Sequence, residues 1–199
     1  MGEFAMKTCL AAALLAATGC VHAATAWDEA LQGDLSDNGL APTALTVAAG
    51  HNLVIGTMGN AGNGIDRDYF SFTIPAGYEL SALWLLPATD VSGGASFLAL
   101  QSGPQVTTNP TGTGVEALYG FNHYGADLVG QDILTTIVGP QKAPLPAGTW
   151  SVWMQETGGQ VRYDLDFVIT PAVPEPATGL SLGVGLLGLA CRRSVLQRR

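Results

Sequence analysis

The chain has 199 residues, a formal net charge of −8, and 47% hydrophobic against 12% charged side chains. Its eight Lys and Arg are outnumbered by sixteen Asp and Glu, which argues against a nucleic-acid partner, because neutralising phosphates needs a basic face. The three cysteines, Cys9, Cys20 and Cys191, fall near the two ends, so the body between them holds no disulfide and must rely on its core.

From Met6 the chain reads as an export signal. Lys7 supplies a positive start, Leu10 to Ala17 an apolar stretch, and Val21-His22-Ala23 or Ala24-Thr25-Ala26 the small-x-small pattern of a cleavage site. Met1 to Ala5 places Glu3 where positive charge belongs, so these five residues are set aside from the fold. Residues 1–26 are expected to form a signal peptide with a helical apolar part, leaving a mature start near Ala24 or Trp27. Ala17-Thr18-Gly19-Cys20 approximates a lipoprotein box without its usual leucine, which keeps lipidation of Cys20 as an alternative.

Residues 27–172 are long enough for one ordinary domain. Across 27–173, Arg67, Lys142 and Arg162 stand against fourteen acidic side chains, a formal net of −11. Period-two alternation dominates and predicts an all-β body. Strands are expected over Thr43 to Ala48 and Asn52 to Met58, around the Gly50-His51 turn, then over Tyr69 to Ile74, where Pro75-Ala76-Gly77 should break the chain. Leu80 to Leu86 and Ser96 to Gln101 are apolar on both faces, as in central strands. The Gly/Thr/Pro-rich stretch from Ser102 to Gly130 reads as a long loop with a short strand near Val115 to Tyr119. Ile133 to Val138, Thr149 to Glu156 and Val161 to Ile169 complete the set. In the last, Val161, Tyr163, Leu165, Phe167 and Ile169 should face inward. About eight short strands without room for parallel crossovers predict an antiparallel β-sandwich of jelly-roll type.

Several chemical signatures occur out of context. Gly183 to Gly188 fits a dinucleotide-binding glycine pattern and Gly179 to Gly183 a nucleophile elbow, but no strand precedes either. His51 and His123 lack zinc-site spacing, and no local pattern supports a Ser-His-Asp triad, so the body is expected to be non-enzymatic, with a hydrolase as the least favoured alternative. Asp34-x-Ser36-x-Asn38-Gly39 begins like a calcium loop, yet Leu45 stands where an EF-hand places its glutamate. A different calcium site is open to Asp66 and Asp68 meeting Asp34 and Asp37; ordinary turn chemistry is the competing reading. Tyr119, Phe121, His123, Tyr124 and Trp153 are candidates for stacking on a glycan, against plain core or loop-anchoring roles.

At the other end, Val173-Pro174-Glu175-Pro176 precedes an uncharged stretch from Ala177 to Cys191 and a cluster of Arg192, Arg193, Arg198 and Arg199. As a helix that stretch spans about 22 Å, short of a hydrocarbon core of about 30 Å, and the arginines would stay on the cytoplasmic side. The order of these parts resembles the PEP-CTERM sorting signal of Gram-negative bacteria over residues 173–199. The resemblance implies recognition by an exosortase, transient contact of 177–191 with the inner membrane, removal of the tail, and display at the cell surface or in the exopolysaccharide matrix. A single-pass anchor is the plainer alternative. In the body, Gly33 to Asp37, Asp66 to Gly77 and Gly148 to Trp153 look like the bacterial pre-peptidase C-terminal domains, which implies a small, non-catalytic β-sandwich that binds calcium, polymers or neighbouring domains. The expected function is a structural or adhesive component of the extracellular polysaccharide or biofilm matrix; the alternative is a calcium-dependent glycan- or polymer-binding module. No cofactor is expected beyond that calcium.

Overall fold

The computed structural model describes residues 23–62 and 64–173. Their alternating segments form β1 (Ala24–Asp28), β2 (Thr43–Ala44), β3 (Gly50–Asn60), β4 (Ile65–Leu85), β5 (Ser96–Ser102), β6 (Gly120–Tyr124), β7 (Leu145–Gln155) and β8 (Val161–Pro171). One sheet runs in the order β1-β3-β8-β4-β7-β5-β6, with β2 on β4. The body is thus mostly β, but the sheet is mixed. β1 lies parallel to β3 and β2 parallel to β4, correcting the purely antiparallel expectation. The connection from Asp28 to Gly50 is long enough for the crossover a parallel pair needs.

β4 is the pivot. Its first half pairs with β7 from Arg67↔Gln155 to Ile74↔Gly148, and its second with β8 from Tyr78↔Pro171 to Leu85↔Leu165. The register shifts between Ile74 and Glu79, so Pro75-Ala76-Gly77 bends the strand instead of ending it. All three residues are exposed, and a bulge is where a proline without an N–H is tolerated. A second shift between Leu80 and Ala82 explains the two-sided apolar pattern, because Leu80, Leu83 and Leu85 all become buried. Phe70 and Phe72 meet Phe167 of β8 edge-on, with centroids 5.9 and 5.1 Å apart. The five residues of β8 expected to face inward are all buried.

Two expected strands are something else. Ile133–Val138 contributes a short helix, α2 (Leu134–Val138). Ile133, Leu134, Ile137 and Val138 are its buried residues, a helical spacing hidden in a continuous apolar run, and Asp132 Oδ1 accepts the Leu134 N–H at 3.0 Å. Val115–Ala117 is a 3-10 turn, and the strand falls at Gly120–Tyr124 instead. A Cβ on Gly120 would come within 2.6 Å of the Ile137 carbonyl oxygen and Val138 Cα, so glycine lets α2 close onto β6.

Most buried side chains form one core. A smaller cluster of Tyr69, Ala99, Val106 and Trp153 covers the opposite face of β4, β5 and β7. Among the described residues no helix is long and apolar enough to cross a membrane. The signal helix, Cys20, the 177–191 segment and the sorting residues Pro174, Glu175, Pro176, Arg192 and Arg193 lie outside the described residues, and only Val173 of that motif falls within them.

Candidate functional site

Five carboxylates gather where β1 turns into α1 (Glu29–Gln32) beside β3 and β4. Asp28 caps the helix, its Oδ1 accepting the Ala30 N–H at 3.0 Å, while Gln32 Oε1 accepts the Asp28 N–H at 2.8 Å. This fixes Glu29 against β3. Its Oε2 accepts the Thr57 N–H at 2.7 Å and its Oε1 the Leu35 N–H at 3.2 Å. Burial outweighs these bonds and raises the Glu29 pKa.

Asp68 lies on β4 with no solvent exposure, and neither carboxylate oxygen has a hydrogen-bond partner. Burial pushes its carboxyl up to about 9; the Glu29, Asp66 and Asp34 charges add to the rise and the adjacent Tyr163 hydroxyl opposes it. That hydroxyl stands beside Asp68 without closing a bond of ordinary geometry, so it too is buried and unpartnered. Gly56 makes room for Tyr163, since a Cβ there would overlap the Tyr163 hydroxyl.

Glu29, Asp34 and Asp68 each bring one carboxylate oxygen within 4.8 Å of the others. Of the four residues expected to meet, Asp34 and Asp68 therefore converge, and Glu29 joins them. Asp37 and Asp66 flank the group. Asp37 Oδ1 accepts the Arg67 N–H at 3.0 Å, and Asp66 rises to about 6, first through burial and then through Asp34, Asp37 and Glu29. Asp34, Asp37 and Asp66 line an open cavity of about 320 Å³ with Gln160. Nearby cations look elsewhere: Arg67 Nε donates to Gln155 Oε1 at 2.6 Å. Among the described residues the ion pairs are His51 with Asp166 and Arg162 with Asp164. Glu29 escaped the sequence reading because only the parallel packing of β1 on β3 brings it to β4.

The aromatic candidates divide. Phe121, His123 and Trp153 line a cavity of about 220 Å³ together with Phe97, Val115 and Gln155. Phe121 is 50% exposed, whereas Trp153 is 4% exposed, stacked on Tyr69 at 5.8 Å and edge-on to Phe97 at 4.7 Å. Trp153 is thus a buried wall and Phe121 the open one. Tyr119 instead packs edge-on to Trp150 at 4.9 Å and donates to the Lys142 carbonyl at 3.1 Å, and Tyr124 is buried in the core.

His51 Nδ1 lies 2.6 Å from Asp166 Oδ2, and no serine or threonine hydroxyl among the described residues hydrogen-bonds that histidine.

Residues 172–194 match the family model of the PEP-CTERM protein-sorting motif. That motif is recognised by exosortase during export, so the chain is a secreted, surface-sorted protein. No curated protein and no solved structure matches the chain.

Proposed function

We propose that the protein is a non-enzymatic structural or adhesive component of the extracellular polysaccharide or biofilm matrix of a Gram-negative bacterium. The observation that carries this reading is the sorting motif at residues 172–194 placed behind a cysteine-free, acidic β body. The body is read as a jelly-roll-type sandwich similar to pre-peptidase C-terminal domains, with the expected extent of 27–172 widened at its start to take in β1 from Ala24. β1 starts at Ala24, and cleavage after Ala26 would delete three of its five residues; Ala26 packs against the core. Processing after Ala23 is therefore favoured. The test is fractionation of the native host with and without its matrix polysaccharide. Recovery in the matrix fraction, lost when the polysaccharide is absent, supports the reading, and recovery only in the periplasm contradicts it.

A second reading, a calcium-dependent glycan- or polymer-binding module, draws its support from the aromatic cavity. Phe121 offers an exposed flat face at its mouth, suited to the C–H face of a sugar. Saturable binding across a glycan panel, weakened by Phe121→Ala with no change in melting temperature, would support it; absence of binding across the panel would remove it. Turnover of an ester, peptide or glycoside that is lost in His51→Ala would instead favour a hydrolase.

A further inference from the structure

We propose that Glu29, Asp34 and Asp68 hold a hard divalent cation of the calcium class, and that this ion fastens the segment around β1 and α1 to β4.

The first observation is spacing. Three carboxylate oxygens from three positions lie within 4.8 Å of one another, close to the span that one ion with ligands at about 2.3–2.6 Å bridges. The second is independent of the clustering. Asp68 is fully buried and both its oxygens lack a partner, an arrangement native structures avoid unless something else satisfies the group. Asp164 and Asp166, also buried, each have a cationic or backbone partner. The third is charge. Asp37 and Asp66 surround the same spot, and neither Arg67 nor Arg162 turns toward it.

An all-oxygen donor set with no nitrogen or sulfur suits calcium or magnesium over zinc or copper. Asp34 is exposed, so the ion has an entry side and waters can complete the six to eight ligands calcium takes. Glu29 is already tied to Thr57 of β3 and to Leu35, and Asp68 belongs to β4. A shared ion thus links residues 29–34 to a strand that β1 does not pair with. This site is independent of the matrix reading, because a correctly sorted protein can lack it and a mis-sorted one can have it.

The test uses the mature protein recovered from its host, stripped with chelator and titrated separately with calcium, magnesium and terbium. Expected results are saturable calcium binding, a melting temperature that climbs with calcium concentration, terbium emission sensitised by nearby Tyr163, and slower hydrogen exchange in residues 24–35. Asp34→Asn, at an exposed position that leaves the fold intact, should weaken calcium binding tenfold or more, while Asp90→Asn should leave it unchanged. Asp68→Asn should fold and fail to bind. Absence of binding and of any melting shift at millimolar calcium overturns the proposal. So does an undiminished calcium response in Asp34→Asn or Asp68→Asn, since either result would locate the ion elsewhere or identify Asp68 as a protonated structural group. Preference for magnesium would overturn the calcium-class assignment.

Discussion

β4 and β8 are neighbours in one sheet, both carry buried aspartates, and they treat them in opposite ways. On β8, Asp166 accepts from His51 Nδ1 at 2.6 Å and the Asn52 N–H at 3.1 Å, and Asp164 takes Arg162 Nε at 2.7 Å and Nη2 at 3.1 Å. On β4, Asp68 is more deeply buried and has no partner. A buried charge must be paired, neutralised or metal-bound. The β8 aspartates are paired and serve the fold; Asp68, on the central strand β4, is in the second or third condition.

The largest loss of stability is expected at Asp166. Asp166→Ala strands the Asn52 N–H in a buried position and should cost about 2–3 kcal/mol by denaturant titration. Next is Gly56→Ala, which drives a methyl into the Tyr163 hydroxyl. Overpacking of this kind costs about 1–3 kcal/mol, and the variant should also disturb Asp68. A loss at Gly56 no greater than that of an exposed glycine would contradict the packing described.

A third prediction concerns pH in the absence of divalent cations. An unfolded Asp releases its proton near pH 4, whereas folded Asp68 does so near 9. Between these limits the folded state holds a proton that the unfolded state lacks, so this group's contribution is full below about pH 4 and is lost as pH rises through 9. Melting temperature measured from pH 5 to 9 should therefore fall, and Asp68→Asn should flatten the slope. A slope that persists in the variant would assign it to other groups. The smallest effect is expected at Arg162→Ala, whose side chain is 48% exposed; exposed pairs contribute about 1 kcal/mol or less, readable as a small shift in the denaturant midpoint.

The alternation that was legible in the sequence is the alternation that burial enforces. The inward set Val161, Tyr163, Leu165, Phe167 and Ile169 could be assigned because one face of β8 meets the core, whereas Asp164 and Asp166, expected on the outward face, are buried there by their own partners. The continuity of β4 was not legible, because Pro75 and Gly77 bend a bulged strand with the same residues that end others. Nor was α2, since Thr135-Thr136-Ile137-Val138 is rich in β-branched residues and becomes helical through packing on β6 and the bond from the Leu134 N–H to Asp132 Oδ1. β1 was not legible as a strand because its first three residues, Ala24-Thr25-Ala26, fit a cleavage pattern as well and fell at the end of the expected signal peptide. For the acidic site, Asp34 and Asp68 were visible as carboxylates near turns, but Glu29 required knowledge of a parallel pairing 25 residues or more away in sequence. Trp153 carried an ambiguous signal because both faces of β7 are covered.

Sorting of this exported protein by exosortase is tested by its intact mass from the native host and from a host lacking exosortase. The expected mature form begins at Ala24 and has lost the residues following the Pro-Glu-Pro motif, with the tail retained only where exosortase is absent. A chain that keeps Arg192 to Arg199 in both hosts would contradict it, and acyl mass on Cys20 would replace it with lipid anchoring.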